Sequence, residues 1–283
     1  MAAVAEAPVS TFDPTDPTLH WNQPMPERLN ALTREQLQFY RDNGYLLLKN
    51  VFTKAEAAEF RRECHALADR LARHASIDAT WNSARQIAGT HTVIQHCHDP
   101  QFYVALLSKM IVDDRLTGPA ADLIGPNVQL HHTKMFIKPP EKGSPFPMHQ
   151  DYPYFVHTKH SMIAAIVHFD DAPIEKGCVR VYPGSHKLGP LPTAIANHSL
   201  DPEKYPIEKG TPCPAEAGDV LFFSYLTIHG SGLNTSSEAR TTCLVQMRDP
   251  EDAPINNLHR SRGQCMMLRG IDPTASRPMA WGT

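Results

Sequence analysis

Helices first and an antiparallel β-sandwich or barrel after them: three observations in the 283-residue sequence predict this mainly β architecture. Two helix-start signals stand near the front of the chain, at Thr33 and Thr53. After Gly125 the sequence becomes a series of short apolar runs punctuated by Gly and Pro. No helix-length pattern separates those runs, which argues against βαβ units.

Residues 1–31 are rich in proline and read as an extended arm, and residues 32–283 as one domain. Within that domain the expected parts are a helical support over 32–124, a β core over about 126–250 and a C-terminal extension over 251–283. Thr33 is placed to cap the first helix, Gln36 to complete a capping box, Leu32 and Leu37 to form a hydrophobic staple, and Gly44 to stop the helix. YLLL at 45–48 then reads as a short buried strand. Thr53 and Glu56 repeat the start signal, and Phe60, Cys64, Leu67 and Leu71 follow at helical spacing as a packing stripe. Residues 101–124 read as two helical pieces. Strand-like runs follow at 128–138, 147–160, 162–170, 178–183, 219–224, 226–232 and 241–248.

The chain is 41% apolar and 20% charged with a formal net charge of −3, which suits a sizeable core and gives no nucleic-acid footprint. Its six cysteines form no CxxC pair, so free thiols in a reducing, cytoplasmic setting are expected. No basic n-region opens the sequence, no run approaches the length of a membrane span, and the closing MAWGT is not a peroxisomal SKL tag. A monomer or homodimer acting on a small molecule, without membrane or nucleic acid, is the expectation.

Residues 147–160, PMHQDYPYFVHTKH, carry three histidines and one aspartate. Strand side chains alternate faces, so His149 and Asp151 are expected on one side and Gln150 on the other. A third metal ligand must come from another strand, and His229 in SYLTIHGSG is the candidate, with Gly230 and Gly232 leaving room around it. Two imidazoles and a carboxylate form the facial triad of non-heme Fe(II) oxygenases; the same set also holds zinc with a water. Arg240 follows eleven residues beyond His229. Oxygen activation on iron needs electrons, which a 2-oxo acid supplies on decarboxylation. The far carboxylate of that acid needs a clamp, and a guanidinium is a planar bidentate fork for it; a solvent-facing arginine at a strand start is the alternative that position alone leaves open.

Four segments, in order, carry a family resemblance: LTREQLQFYRDNGYLLLKNVF, HTKMFIKPPEKGSPFPMHQD, GCVRVYPGSHKLG and AGDVLFFSYLTIHGSGLNTSSEAR. Across residues 32–247 the sequence resembles the phytanoyl-CoA dioxygenase family of Fe(II)- and 2-oxoglutarate-dependent oxygenases. The resemblance implies a double-stranded β-helix, the jelly roll of cupin-like proteins, braced by N-terminal α-helices. It places iron on His149, Asp151 and His229, the 2-oxoglutarate carboxylate on Arg240 with help from Ser231, and Lys134 near the cosubstrate. It implies O2 as the second cosubstrate and hydroxylation with release of succinate and CO2. Ile166 stands where some members carry a tryptophan. Related halogenases replace the acid by Gly or Ala, so Asp151 speaks against halogenation. Desaturation, epimerisation, cyclisation and endoperoxidation share the same start, and an oxygen-independent isomerase or a non-catalytic binding protein are the rivals from other classes.

A fourth protein ligand would close a position that oxygen needs, so His157 and His160 are assigned to the pocket rim or surface. Tyr154, Phe155 and Thr158 are rim candidates, and Thr158 is also a candidate cosubstrate contact. His131, His132 and His168 fall within strands as core or rim groups, His96 and His98 form an HxH of structural or rim character, and His186 reads as architectural. Arg180 anchors an anionic substrate if its strand face is inward, and is merely solvated if it is outward.

Overall fold

The computed structural model describes residues 12–73, 83–87, 90–140, 145–193, 198–255 and 261–275. Helix α1 spans Arg34–Asn43 and starts as its sequence predicts: Thr33 accepts from the Gln36 amide, the Gln36 side chain accepts from the Thr33 amide, and Gly44 ends the helix at φ 77°. Strand β1, Tyr45–Leu48, follows directly. Helix α2, Lys54–Arg73, has the same reciprocal cap between Thr53 and Glu56, and its stripe of Phe60, Cys64, Leu67 and Leu71 is buried. The 101–124 stretch forms α3, Ala105–Ile111, and α4, Asp114–Ile124.

The β part consists of two antiparallel sheets. In the larger, the hydrogen-bonded order is β1, β9 (Val220–Ser224), β6 (Ile163–His168), β11 (Arg240–Arg248), β4 (Val128–Lys138), β3 (Thr90–His98) and β2 (Ser83–Ile87). Strand β12, Met267–Arg269, also pairs with β4. The smaller runs β5 (Phe146–His149), β10 (His229–Ser231), β7 (Val179–Val181) and β8 (Thr211–Cys213). This is the jelly roll braced by N-terminal helices.

Strand alternation divides the apolar residues of the large sheet between two cores. Met135, Ile137, Val167, Phe222, Cys243 and Val245 pack outward against Phe60, Leu67, Leu107 and Leu116 of the helices. Ala164, Leu221 and Phe223 pack inward against Val179, Val181 and Cys213 of the small sheet. The inward face of β4 and β11 also carries Lys138 opposite Arg240, and that pairing positions part of the site.

Three expectations need correction. The β2–β3 hairpin extends the large sheet from within the supposedly helical segment; its largely polar sequence lacks the apolar run that marks a buried strand. Strand β5 ends at His149, so most of 147–160 is not strand. Gly230 does not make room for His229: a Cβ there would lie 2.7 Å from the Phe146 carbonyl, so the glycine permits the close approach of β5 and β10, while Gly232 has open space. The six cysteines are free thiols, as expected.

Candidate metal and cosubstrate site

His149 and His229 are register partners across β5 and β10, with ring centroids 4.3 Å apart. Asp151 joins them by a turn rather than by strand alternation. It sits in right-handed helical conformation at φ −74° and ψ −22°, heading a short 3-10 helix. Its amide and that of Tyr152 both donate to the Tyr225 carbonyl, which anchors the turn. Gln150 does face away, donating to the Gly189 and Leu226 carbonyls and accepting from the Leu191 amide.

The donor atoms converge. Asp151 Oδ1 lies 3.6 Å from His149 Nε2 and 3.7 Å from His229 Nε2. Among the described residues, no other group of three His, Cys, Asp or Glu side chains brings its ligand atoms within 4.8 Å of one another. His149 Nδ1 faces the Pro147 carbonyl at 2.8 Å and His229 Nδ1 faces the Thr227 carbonyl at 3.0 Å. A carbonyl only accepts, so each Nδ1 carries the proton and each Nε2 presents a lone pair to the cage. The Gln246 amide donates to Asp151 Oδ2 at 2.7 Å, which leaves Oδ1 for the cage. Burial pushes the Asp151 carboxyl above its usual value, opposed by His229, Gln246 and Lys134. A dication between the three donors would supply the charge this buried carboxylate needs. The residues therefore fit a divalent metal with open coordination positions.

Two residues along β10, the electrostatics reverse. Arg240 is 5% exposed, donates to the Gly177 carbonyl and leaves Nε without a partner. Burial lowers its guanidinium to about 10. Its register partner Lys138 is 1% exposed and bonds Ser231 Oγ at 3.0 Å and the Gly232 carbonyl. Among the described residues neither cation forms a salt bridge. Asp170 acts on Arg240 electrostatically without a salt bridge, and two buried cations so placed fit the far end of a dicarboxylic oxo acid.

A chain of ring contacts runs on from the cage. Tyr154 meets His149 with centroids 6.5 Å apart and Phe155 at 6.0 Å; Phe155 meets His132 at 5.1 Å, and His132 stacks on His98 at 6.1 Å. His98 meets His96 at 5.6 Å, and His96 meets Phe136 at 6.4 Å. Lys134 Nζ lies 4.9 Å from the Phe136 centroid, on the same β4 face as Lys138. Ile166 lies in the inward core opposite Leu244.

Other candidates fall elsewhere. Thr158 is exposed, and its hydroxyl bonds Asp252 rather than anything in the cage. Arg180 turns away from the inward core that holds Val179 and Val181, and donates to the Glu208 and Gly210 carbonyls. His157 is not on the surface: it is 1% exposed, bonded to the Phe155 carbonyl and packed on His131. His160 bonds the Tyr225 hydroxyl at 2.6 Å. His131 approaches Gln264, and His168, fully buried, faces the Asp219 carbonyl. His186 braces the end of α1 through the Arg41 carbonyl. Sequence reasoning does not single out Lys138 or Gln246. The available signals were a lysine ending an apolar strand before Pro-Pro and a lone amide within CLVQM.

Residues 40–242 match the family described as phytanoyl-CoA dioxygenase (PhyH). The peroxisomal phytanoyl-CoA dioxygenase of Bos taurus is 30% identical over 246 residues, covering 78% of this chain and 69% of the relative. A probable alpha-ketoglutarate-dependent hypophosphite dioxygenase of Stutzerimonas stutzeri is 25% identical over 221 residues, covering 75% of this chain and 77% of the relative. The fold superposes on EctD from S. alaskensis, solved with 2-oxoglutarate and 5-hydroxyectoine, with a TM-score of 0.72 at 20% identity, over 90% of this chain and 91% of that one. The chain belongs to the phytanoyl-CoA dioxygenase (PhyH) family of Fe(II)- and 2-oxoglutarate-dependent oxygenases.

Proposed function

We propose that this dioxygenase hydroxylates a C–H bond of a small organic molecule, with release of succinate and CO2. The observation that carries the reading is the juxtaposition of the His149–Asp151–His229 cage with the buried cationic pocket of Arg240. Fe(II), bound with 2-oxoglutarate and O2, supplies the oxidising chemistry.

The chain supplies geometry and exclusion of water. His149, Asp151 and His229 would hold the metal on one face, leaving the others open. The Pro147 and Thr227 carbonyls keep both imidazoles in the ligating tautomer, and Gln246 orients the carboxylate. Arg240, with Ser231 bonded to its register partner Lys138, would bind the far carboxylate of the cosubstrate and so fix its oxo-acid end toward the cage. Tyr154, Phe155, His132, His98, His96 and Phe136 would form the substrate wall, and Lys134 among them favours a substrate with an acidic or electron-rich group. The six free thiols support work in a reducing cytoplasm.

The test is a panel of small molecules, acids among them, scored by substrate-dependent succinate release under 18O2. Label in the product supports hydroxylation. Succinate release with an unlabelled desaturated, epimerised or cyclised product transfers the assignment to one of those outcomes. No 2-oxoglutarate turnover with Fe(II) under any condition overturns it.

A further inference from the structure

The proline-rich arm and the helices behind it enclose a second cavity of about 660 Å3. One wall is the arm between Pro17 and Asn30, another is Arg41 of α1, and a third is the C-terminal end of α4. Lys159, Ser161 and Asp249 complete it. None of its lining residues belongs to the metal cage, the cosubstrate pocket or the rings beside them. Its size falls in the range of sites for small organic ligands.

Arg41 is the group in this cavity whose hydrogen-bonding capacity is least met. It is 9% exposed. A guanidinium has five N–H donors and no acceptor. Among the described residues one donor is used, from Nη2 to the Pro24 carbonyl at 3.3 Å, and Nε is buried with no partner. Burial pulls the guanidinium below its usual value, and no ion pair with a carboxylate forms among the described residues. His20, also buried, lines the same cavity; its Nε2 meets the Tyr40 hydroxyl at 3.1 Å and its Nδ1 has no partner. Burial, then His186 and Arg41, lower that imidazole to about 3, so the ring is neutral.

The acids of the cavity are engaged elsewhere. Asp122 accepts from the Asn30, Ala31 and Leu32 amides and from the Asn30 side chain. Asp249 accepts from the Glu251 amide, and the cation acting on it is Lys159 rather than Arg41. Arg28 stands exposed at the rim as a second guanidinium. The rest of the wall is largely carbon: Pro17, Pro24, Pro26, Leu123, Ile124 and Pro126. Proline rings have a fixed φ and no N–H, so such a wall is rigid and asks for no hydrogen bond.

We infer that this cavity is a binding site for a small organic oxyanion, with a carboxylate or phosphate head on Arg41 and an apolar body against the prolines of the arm. The head supplies the acceptors that the guanidinium lacks, two oxygens matching its planar fork. The arm is then one wall of a site, closing a space that α1 and α4 alone leave open.

The test is calorimetric binding under anaerobic conditions to Fe(II)-loaded protein holding one equivalent of 2-oxoglutarate. The probes are benzoate, phenyl phosphate and the uncharged benzamide. One of the two anions binds more tightly than benzamide, and the tighter of the two identifies the head. Arg41→Met lowers its affinity about tenfold or more and leaves benzamide unchanged, whereas Arg240→Met leaves the anion bound. Gln23→Trp, at an exposed rim position, obstructs the cavity without touching α1 and weakens all three probes; thermal unfolding verifies that each variant is folded. Three results would each overturn the inference and leave the proposed function intact: neither anion binding better than benzamide, a loss in Arg240→Met but not in Arg41→Met, or full affinity in folded Gln23→Trp.

Discussion

His149, Asp151 and His229 form a cage built around a carboxylate; Lys138 and Arg240 form a pocket built from two cations. The two are joined by β10, whose first residue is His229 and whose last is Ser231. Burial raises the Asp151 carboxyl on one side and lowers the Lys138 ammonium and the Arg240 guanidinium on the other. Each half is thus destabilised by its own charge, in the sense opposite to the ligand it would receive. A divalent metal answers the first and a dianionic oxo acid the second. The comparison teaches that one short strand can organise both, because its backbone pairs with β5 on one side and its side chains reach the β4–β11 face on the other.

The largest way to break the comparison is Asp151→Ala. Substrate-dependent succinate release should fall to background, while the cationic pocket stays built; an unchanged rate would remove Asp151 from the site. Arg240→Met should next weaken 2-oxoglutarate binding by about 30-fold or more, since it removes one partner of a buried charged contact. Fe(II) affinity should barely move, and equal losses of metal and oxo acid would show that the two halves are not separable. Gln246→Leu removes the amide that orients Asp151 and should cost about 10- to 100-fold in Fe(II) affinity, with 2-oxo acid specificity preserved. Titration of the apoprotein with Fe(II) measures it.

A pH dependence tests the pocket before the oxo acid binds. Lys138 titrates near 6 in the folded chain, against the usual lysine value near 10.5. Between those limits the unfolded chain holds a proton that the folded chain lacks, so stability rises with pH across that window and is lowest below it. The slope is at most about 1.4 kcal/mol per pH unit for one proton. Lys138→Met should flatten it in thermal unfolding of metal-free protein, and saturating 2-oxoglutarate should flatten it in the wild type; identical pH profiles would separate Lys138 from the charge imbalance.

Local features were legible because their partners lie within a few residues. The Thr33–Gln36 and Thr53–Glu56 caps, the Gly44 stop and the α2 stripe each depend on i to i+3 or i+4 contacts, which sequence displays directly. The His149–Asp151 pair was legible by spacing, though for a different reason than alternation: Asp151 reaches the cage through a turn held by the Tyr225 carbonyl. Arg180 could not be oriented from sequence because three-residue β7 has too little alternation to reveal which face is inward. The β2–β3 hairpin was hidden by its polar composition.

By itself, the sequence determined the first two helices, the strand-rich run after Gly125 and the candidate donors for a metal and an oxo-acid clamp, because residue chemistry and short-range periodicity carry that information. Only the tertiary structure decided that His229 pairs across from His149, that Gln246 holds Asp151 and that Lys138 stands under Ser231 beside Arg240. The His149–His229 and Lys138–Arg240 relations are set by strand register, and the Gln246–Asp151 and Lys138–Ser231 contacts by the packing of the two sheets, between segments about 80 to 100 residues apart. Shifting the register by one residue turns every side chain to the other face, so the folded sheet, and not the local pattern, selects them.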